Sequence, residues 1–136
     1  TEEDVAVICS EQTENKIFDM INAMAEKKQK KAMELYYDLL ALKEPPMRIL
    51  YLITRQFNLL MQVKELSEEG YSAKTISERL KMAGFIVRNC LRQAEYFSLK
   101  TLKEALQDCV RMEEAVKTGR MNDVMSVELL LVKYSS

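Results

Sequence analysis

The stretch PPMRILYLITRQFNLLMQVKELSEE, residues 45–69, carries the clearest structural pattern in the chain and decides the predicted fold. Polar side chains recur along it at alternating spacings of three and four residues: Arg48, Tyr51, Arg55, Asn58, Gln62, Glu65 and Glu69. Such spacing places them in one stripe of an α-helix. Apolar residues cover most of the remaining circumference. We therefore predict a helix over about residues 46–69 that contacts several neighbours at once and acts as the spine of the fold.

The ends and the centre of this segment agree with that prediction. Pro46 stands at the start, where proline is tolerated in a first helical turn, and Gly70 follows the end, where glycine adopts a left-handed backbone at little cost. Ile53, Phe57 and Leu60 lie in the middle of the apolar surface. We expect these three side chains to form the structural core.

The rest of the chain also has helical periodicity, and no segment alternates with the period of two that is typical of a strand. A helix with Ser98 as its N-cap is predicted to begin near residue 98. ENKIFDMINAMAE and KAMELYYDLLAL predict two helices upstream, with Thr13 as the candidate cap of the first. The last segment, DVMSVELLLVKY, is apolar nearly all round, which predicts a helix buried by others. The fold class is all-α, a bundle of about six to seven helices.

Bulk properties favour one soluble globular domain. The 136 residues include 20 basic and 21 acidic residues, which gives a net charge of −1. Dedicated nucleic-acid binders usually have an excess of basic residues, so the overall charge argues against DNA binding by this chain alone. No run approaches the roughly 20 apolar residues that a membrane-spanning helix needs, so we expect no membrane contact. The chain begins at Thr1 without an initiator Met, and we expect it to be part of a longer cytosolic protein.

A domain boundary is expected near residue 12. The opening segment TEEDVAVICS predicts a short separate helix, with Thr1 and Asp4 at the spacing of a capping box. We interpret residues 1–12 as the tail of a preceding domain and residues 13–136 as the helical domain itself.

The residue inventory excludes most catalytic chemistry. The chain contains no His, which removes the commonest general base near neutral pH and the commonest metal ligand. Cys9, Cys90 and Cys109 are far apart in sequence, so we expect neither a disulfide framework nor a zinc site. We expect these thiols to be reduced and buried. Neither GxxxxGK[ST] nor GxGxxG occurs. We predict no catalytic residue, no cofactor and no metal.

Residues 72–94, SAKTISERLKMAGFIVRNCLRQA, have the pattern of a helix-turn-helix. A DNA-reading helix needs polar side chains in its first turns, yet the second helix here opens with Phe85, Ile86 and Val87. Packing is the favoured interpretation. DNA contact by a second set of side chains stays open as the alternative: Arg88, Asn89, Arg92 and Gln93.

Three further features have a functional and a structural interpretation. The run KKQKK, residues 27–31, is either a phosphate-binding patch or a solvated helix connection, and the latter is favoured. Met residues on apolar faces are expected to fill core gaps rather than line a peptide groove: Met20, Met24, Met33, Met61 and Met112. Glu128 is expected either to pair with Arg55 or Lys117 or to lie at the edge of the bundle.

Four segments in order give the chain a family resemblance: TENKIFDMINAMA, EPPMRILYLITRQFNLLMQVKEL, FIVRNCLRQAEYFSLKTLKEAL and AVKTGRMNDVMSVELLLVKY. Together they resemble the C-terminal part of the bacterial DNA polymerase III delta subunit, over about residues 13–134. The resemblance implies a helical collar domain of an AAA+ clamp-loader protein, with residues 1–12 as the end of the lid domain.

The resemblance also implies partners and a place of action. The expected partners are the tau/gamma and delta-prime subunits, which form a ring with this domain in the complex that loads the sliding clamp onto primed DNA. The clamp would be held by an N-terminal domain outside this chain, and primed DNA would be reached only in the full complex. A bacterial cytoplasmic location, at the nucleoid during replication, follows.

In a collar domain of this family, one loop of the chain is a candidate for contact with DNA. KTGRMND, residues 117–123, supplies Lys117 and Arg120, although both cations can equally respond to a helix C-terminus. Two other functions remain beside the collar domain. They are a helix-turn-helix DNA-binding regulator and a helical adaptor of an unrelated complex.

Overall fold

The computed structural model describes residues 11–136, which form seven α-helices and no strand. The helices are α1 (Glu11–Ala25), α2 (Gln29–Ala41), α3 (Pro46–Glu68), α4 (Ala73–Leu80), α5 (Gly84–Ala94), α6 (Leu99–Lys117) and α7 (Asp123–Ser135). The predicted all-α class is confirmed. The short helix predicted over residues 1–10, together with Cys9, lies outside the described residues.

Helix α3 is the spine, as its polar stripe predicts. It packs against α1, α4, α5, α6 and α7, with α1, α2 and α7 in mutual contact on one part of its surface. Ile53, Phe57 and Leu60 have no exposed surface. The Phe57 ring meets the edge of Phe97 at a centroid distance of 5.9 Å and lies 6.2 Å from the ring of Tyr134. Residues from α3, from the α5–α6 connection and from α7 thus close the core around the middle of α3.

Short polar side chains begin three of the helices. Ser72, Ser98 and Asn122 each accept a hydrogen bond from the backbone N–H three residues later, at 3.2, 3.0 and 3.1 Å. These bonds satisfy amide groups that a helix start leaves unpaired. The N-cap predicted at Ser98 is confirmed. Thr13 is not a cap, because α1 already includes Glu11 and Thr13 is a buried residue within the helix.

A residue with a left-handed backbone follows the end of each of five helices. Gly70 and Gly119 have φ of 98° and 76°, and glycine adopts this conformation without a Cβ clash. Three lysines occupy the same position with φ of 62°, 66° and 56°: Lys27, Lys43 and Lys81. Lys81, not Gly84, is therefore the left-handed residue of the turn between α4 and α5, and Gly84 is the first residue of α5.

Helix α7 is only half covered, so the prediction that other helices bury it on all sides is wrong. One face carries Val127, Leu130, Leu131 and Tyr134 into the core. The opposite face leaves Met125, Leu129 and Val132 exposed by 50, 43 and 40%. Both faces are apolar in sequence, but the described chain supplies neighbours for one of them only.

Candidate functional surfaces

Lys117 and Arg120 lie at the end of α6 and in the loop that follows it. The N–H of Arg120 donates to the carbonyl of Ala115 at 2.8 Å and that of Gly119 to Val116 at 3.1 Å, which reverses the chain at the end of α6. Lys117 Nζ lies 3.6 Å from Glu113 Oε1. Arg120 Nε donates to Thr118 Oγ1 at 2.9 Å. Both cations are exposed, and each has one local partner.

The α4–α5 pair has helix-turn-helix connectivity, and the structure places its four candidate DNA contacts differently. Gln93, one of the four candidate contacts, is only 2% exposed and faces the interior. Arg88 and Arg92 remain exposed. Of the apolar residues that open α5, Val87 is buried in the domain, whereas Phe85 and Ile86 are exposed and lie outside its core.

A groove of about 550 Å³ runs between α1, α3 and α5 beside those two residues. Its apolar walls include Phe18, Leu52, Leu59, Phe85 and Ile86. At its rim Arg55 forms an ion pair with Glu14 at 2.7 Å. The charged side chains among its described lining residues are those of Glu11, Glu14 and Arg55.

Gln93 is the centre of a buried polar network that the sequence patterns do not reveal. Its Nε2 donates to the carbonyl of Phe18 at 3.1 Å and to Asn22 Oδ1 at 2.7 Å, and its Oε1 accepts from Gln56 Nε2 at 2.9 Å. The network joins α1, α3 and α5. Buried amides of this kind stabilise a fold only when every donor and acceptor finds a partner.

A second network joins α6 to α7 through Asp108. Its carboxylate accepts hydrogen bonds from Tyr134 Oη at 2.6 Å, Lys133 Nζ at 2.7 Å and Arg111 at 3.3 Å. Burial alone would raise the pKa of Asp108, but the bonds from Lys133 and Tyr134 outweigh it and hold this pKa below the usual value. Burial and the same carboxylate raise the pKa of Tyr134. The sequence offers no signal for this pairing except one acidic residue in an otherwise apolar helical stripe.

Glu128 has neither of the cationic partners expected for it. Its Oε2 accepts a hydrogen bond from Tyr37 Oη at 2.5 Å, whereas Arg55 and Lys117 pair with other carboxylates. That hydrogen bond raises the pKa of Tyr37. Glu128 lies partly exposed at the edge of the bundle, beside a surface formed by Tyr37, Met125, Leu129 and Val132. We call these four residues the α7 patch.

The lysine run of residues 27–31 connects α1 to α2 and also closes the C-terminus of α7. Lys27 Nζ donates to the carbonyl of Tyr134 at 3.2 Å, and Gln29 Nε2 donates to that of Val132 at 3.4 Å. Lys28 lies 3.3 Å from Glu26. Cations near the last carbonyls of a helix are stabilising. The contacts of Lys27 and Gln29 are therefore structural.

The two cysteines among residues 11–136 are buried. The thiols of Cys90 and Cys109 are enclosed and reduced, and burial raises the pKa of Cys109 to about 11. A thiol with such a pKa is a poor nucleophile near neutral pH. Within residues 11–136 no three His, Cys, Asp or Glu side chains gather as a metal site would require. None of the helices in that range has the length and apolar character needed to cross a bilayer.

Comparison with known proteins gives one consistent family. The sequence profile for "DNA polymerase III delta subunit, C-terminal domain" matches residues 14–134. The DNA polymerase III subunit delta of Bacillus subtilis (strain 168) is 33% identical over 133 residues, covering 98% of this chain and 38% of that protein. The solved Bacillus subtilis DNA clamp loader delta protein matches with a TM-score of 0.87 at 32% identity, covering 98% of this chain and 39% of that one. The chain thus spans less than half the length of either relative.

Proposed function

The chain belongs to the family of the DNA polymerase III delta subunit, C-terminal domain, and we propose that it joins a delta subunit to the other subunits of a clamp loader. The observation that carries the proposal is the uncovered apolar face of α7 on a domain whose described residues hold no catalytic cluster. An interaction surface is the ordinary reason for an apolar patch on a folded protein.

The proposed partners are the tau/gamma and delta-prime subunits, which would meet this domain in a helical collar. The sliding clamp would be bound by an N-terminal domain of the same subunit, and primed DNA would be met only in the complete loader. Residues 1–12 are proposed as the end of the preceding lid domain. The proposed location is the bacterial cytoplasm, at the nucleoid during replication. We propose no catalytic activity, cofactor or metal for this domain.

A binding experiment with the 136-residue chain tests the assembly role. The purified chain is mixed with the C-terminal domains of tau/gamma and delta-prime from the same organism, and the mixture is analysed by size-exclusion chromatography with light scattering. We expect the chain to be monomeric alone at micromolar concentration and to form a complex in the mixture. A stable homo-oligomer, or the absence of any complex, contradicts the proposal.

DNA binding by the isolated chain tests the alternative of a helix-turn-helix regulator. We expect weak binding or none, because the net charge is −1 and Gln93 is committed to the interior. Tight, sequence-selective binding that weakens steeply with salt would favour the regulator instead, since phosphate contacts release counterions.

A further inference from the structure

The outer face of α7 carries apolar side chains where a helix at the surface of a monomer ordinarily carries polar ones. Met125, Leu129 and Val132 follow one another at spacings of four and three, so they form one stripe along the helix. Tyr37 of α2 lies beside that stripe and is also exposed. Rows of side chains at these spacings are the ridges between which a second helix packs. The shape of the α7 patch therefore suits a helix.

Glu128 adds a negative charge to this surface. It accepts one hydrogen bond from Tyr37 and forms no ion pair with any Lys or Arg of residues 11–136. Covering a carboxylate with another protein is costly unless a cation reaches it. A partner that covers the α7 patch therefore needs a Lys or Arg opposite Glu128.

The patch is held in place before any partner arrives. Tyr36 Oη donates to the carbonyl of Val124 at 2.9 Å, near the start of α7, and Lys27 and Asp108 hold Tyr134 near its end. A surface on a helix anchored at both ends loses little conformational freedom on binding. Its exposed apolar area is then available to stabilise a complex.

We propose that the α7 patch is the docking surface for an α-helix of another clamp-loader subunit, a helix with apolar side chains at spacings of three and four and a Lys or Arg that pairs with Glu128. This inference rests on the assembly role proposed above and specifies the surface and the chemistry of its partner. The apolar side chains supply most of the affinity. The ion pair selects the partner and its register, as complementary charges do at interfaces.

Two substitutions test the two parts of the inference, with purified tau/gamma and delta-prime subunits as the probes. Leu129→Glu places a charge within the stripe, and we expect the Kd to rise at least about tenfold, as for a central interface residue. Glu128→Gln keeps the shape and the Tyr37 contact but removes the charge. We expect a Kd about fivefold higher and a flatter dependence of the Kd on ionic strength.

Val110→Glu is the matched control. Val110 of α6 is 61% exposed and lies two residues beyond Asp108, about 200° around the helix, so it points away from α7. We expect this variant to bind as the wild type does, and all three variants to melt within about 3 °C of it, as surface substitutions generally do.

The outcomes separate this inference from the assembly role. Failure of the wild-type chain to bind either subunit overturns the assembly role itself. Wild-type binding that Leu129→Glu leaves unchanged, or that Val110→Glu weakens equally, overturns only the choice of surface. An unchanged salt dependence in Glu128→Gln overturns the ion pair. Self-association of the chain that Leu129→Glu abolishes would assign the patch to a second copy instead.

Discussion

Phe57 contacts aromatic rings from distant parts of the chain, which its local sequence pattern does not predict. Its ring is fully enclosed, meets Phe97 edge to face and contacts the Tyr134 ring, so it links α3 to the α5–α6 connection and to α7. We expect Phe57→Ala to lower the free energy of unfolding by about 3–5 kcal/mol, because the lost burial is accompanied by a cavity. Urea denaturation measures this change. A loss below about 1 kcal/mol would contradict such enclosure.

Asp108 gives the stability of the fold a dependence on pH. The pKa of its folded carboxyl is depressed by Lys133 and Tyr134, while in the unfolded chain it returns to about 3.9. The carboxylate therefore stabilises the fold above that unfolded value, and this contribution is lost as the pH falls through the folded pKa. We expect the free energy of unfolding to fall more steeply for the wild type than for Asp108→Asn as the pH is lowered below the unfolded pKa of about 3.9.

Tyr134→Phe checks which contact depresses this pKa. It removes one hydrogen bond to Asp108 and keeps the ring against Phe57. We expect a loss of about 1.5–3 kcal/mol at pH 7, typical of a hydrogen bond to a charged group, and a weaker acid dependence. Denaturation curves at several pH values give both quantities. Parallel pH profiles for all three proteins would show that Asp108 does not titrate differently on folding.

The helix ends contain backbone strain that one substitution can relieve. Lys43 lies in the turn after α2 with φ of 66°, a conformation in which its Cβ approaches the backbone, and its side chain is exposed. We expect Lys43→Gly to stabilise the protein by about 0.5–1 kcal/mol, the relief of strain exceeding the added freedom of the unfolded chain. Thermal denaturation measures the effect.

Lys103→Gly is the matched control for this prediction. Lys103 is also exposed, but it lies within α6, where the backbone is helical and glycine costs about 1 kcal/mol relative to a good helix former. The two substitutions remove the same side chain and should act with opposite sign. Destabilisation by both would mean that the left-handed backbone at Lys43 carries no strain.

At the scale of the whole molecule, the loop of residues 117–123 is the candidate contact with DNA in the assembled loader. We propose that Lys117 and Arg120 approach primed DNA there, and expect the Lys117→Glu/Arg120→Glu pair to lower clamp loading while assembly is kept. The salt dependence of clamp loading should also become weaker, by the amount expected for the loss of about two phosphate contacts. The measurement is clamp loading by the reconstituted loader over a range of salt concentrations.

Lys100→Glu with Lys103→Glu is the control for that variant. It makes the same change of charge at the other end of α6, about 25 Å away along a helix with a rise of 1.5 Å per residue. We expect it to load the clamp normally. Equal defects in both pairs would indicate a general effect of net charge, and normal loading by both would remove the loop from the mechanism.

The sequence by itself determined the helices and the family. The spacing of three and four in α3, the serine N-cap of α6 and the glycines after α3 and α6 are local signals, since each acts within about one turn of the chain. They predict where helices begin, end and face the core. The order of four such segments was enough to indicate the delta subunit family, which the comparisons confirm.

Only the tertiary structure decided which partners the polar groups have and which apolar faces stay open. Gln93 bonds to Phe18, 75 residues away, and Glu128 to Tyr37, 91 residues away, so both contacts depend on the register in which helices pack. Helical periodicity gives the direction of a side chain around its own axis and carries no information on that register. For the same reason α7 was expected to be buried all round. The sequence pattern of an apolar stripe is the same whether the stripe packs within its own domain or against another protein. In both cases the stabilisation comes from removing apolar side chains from water.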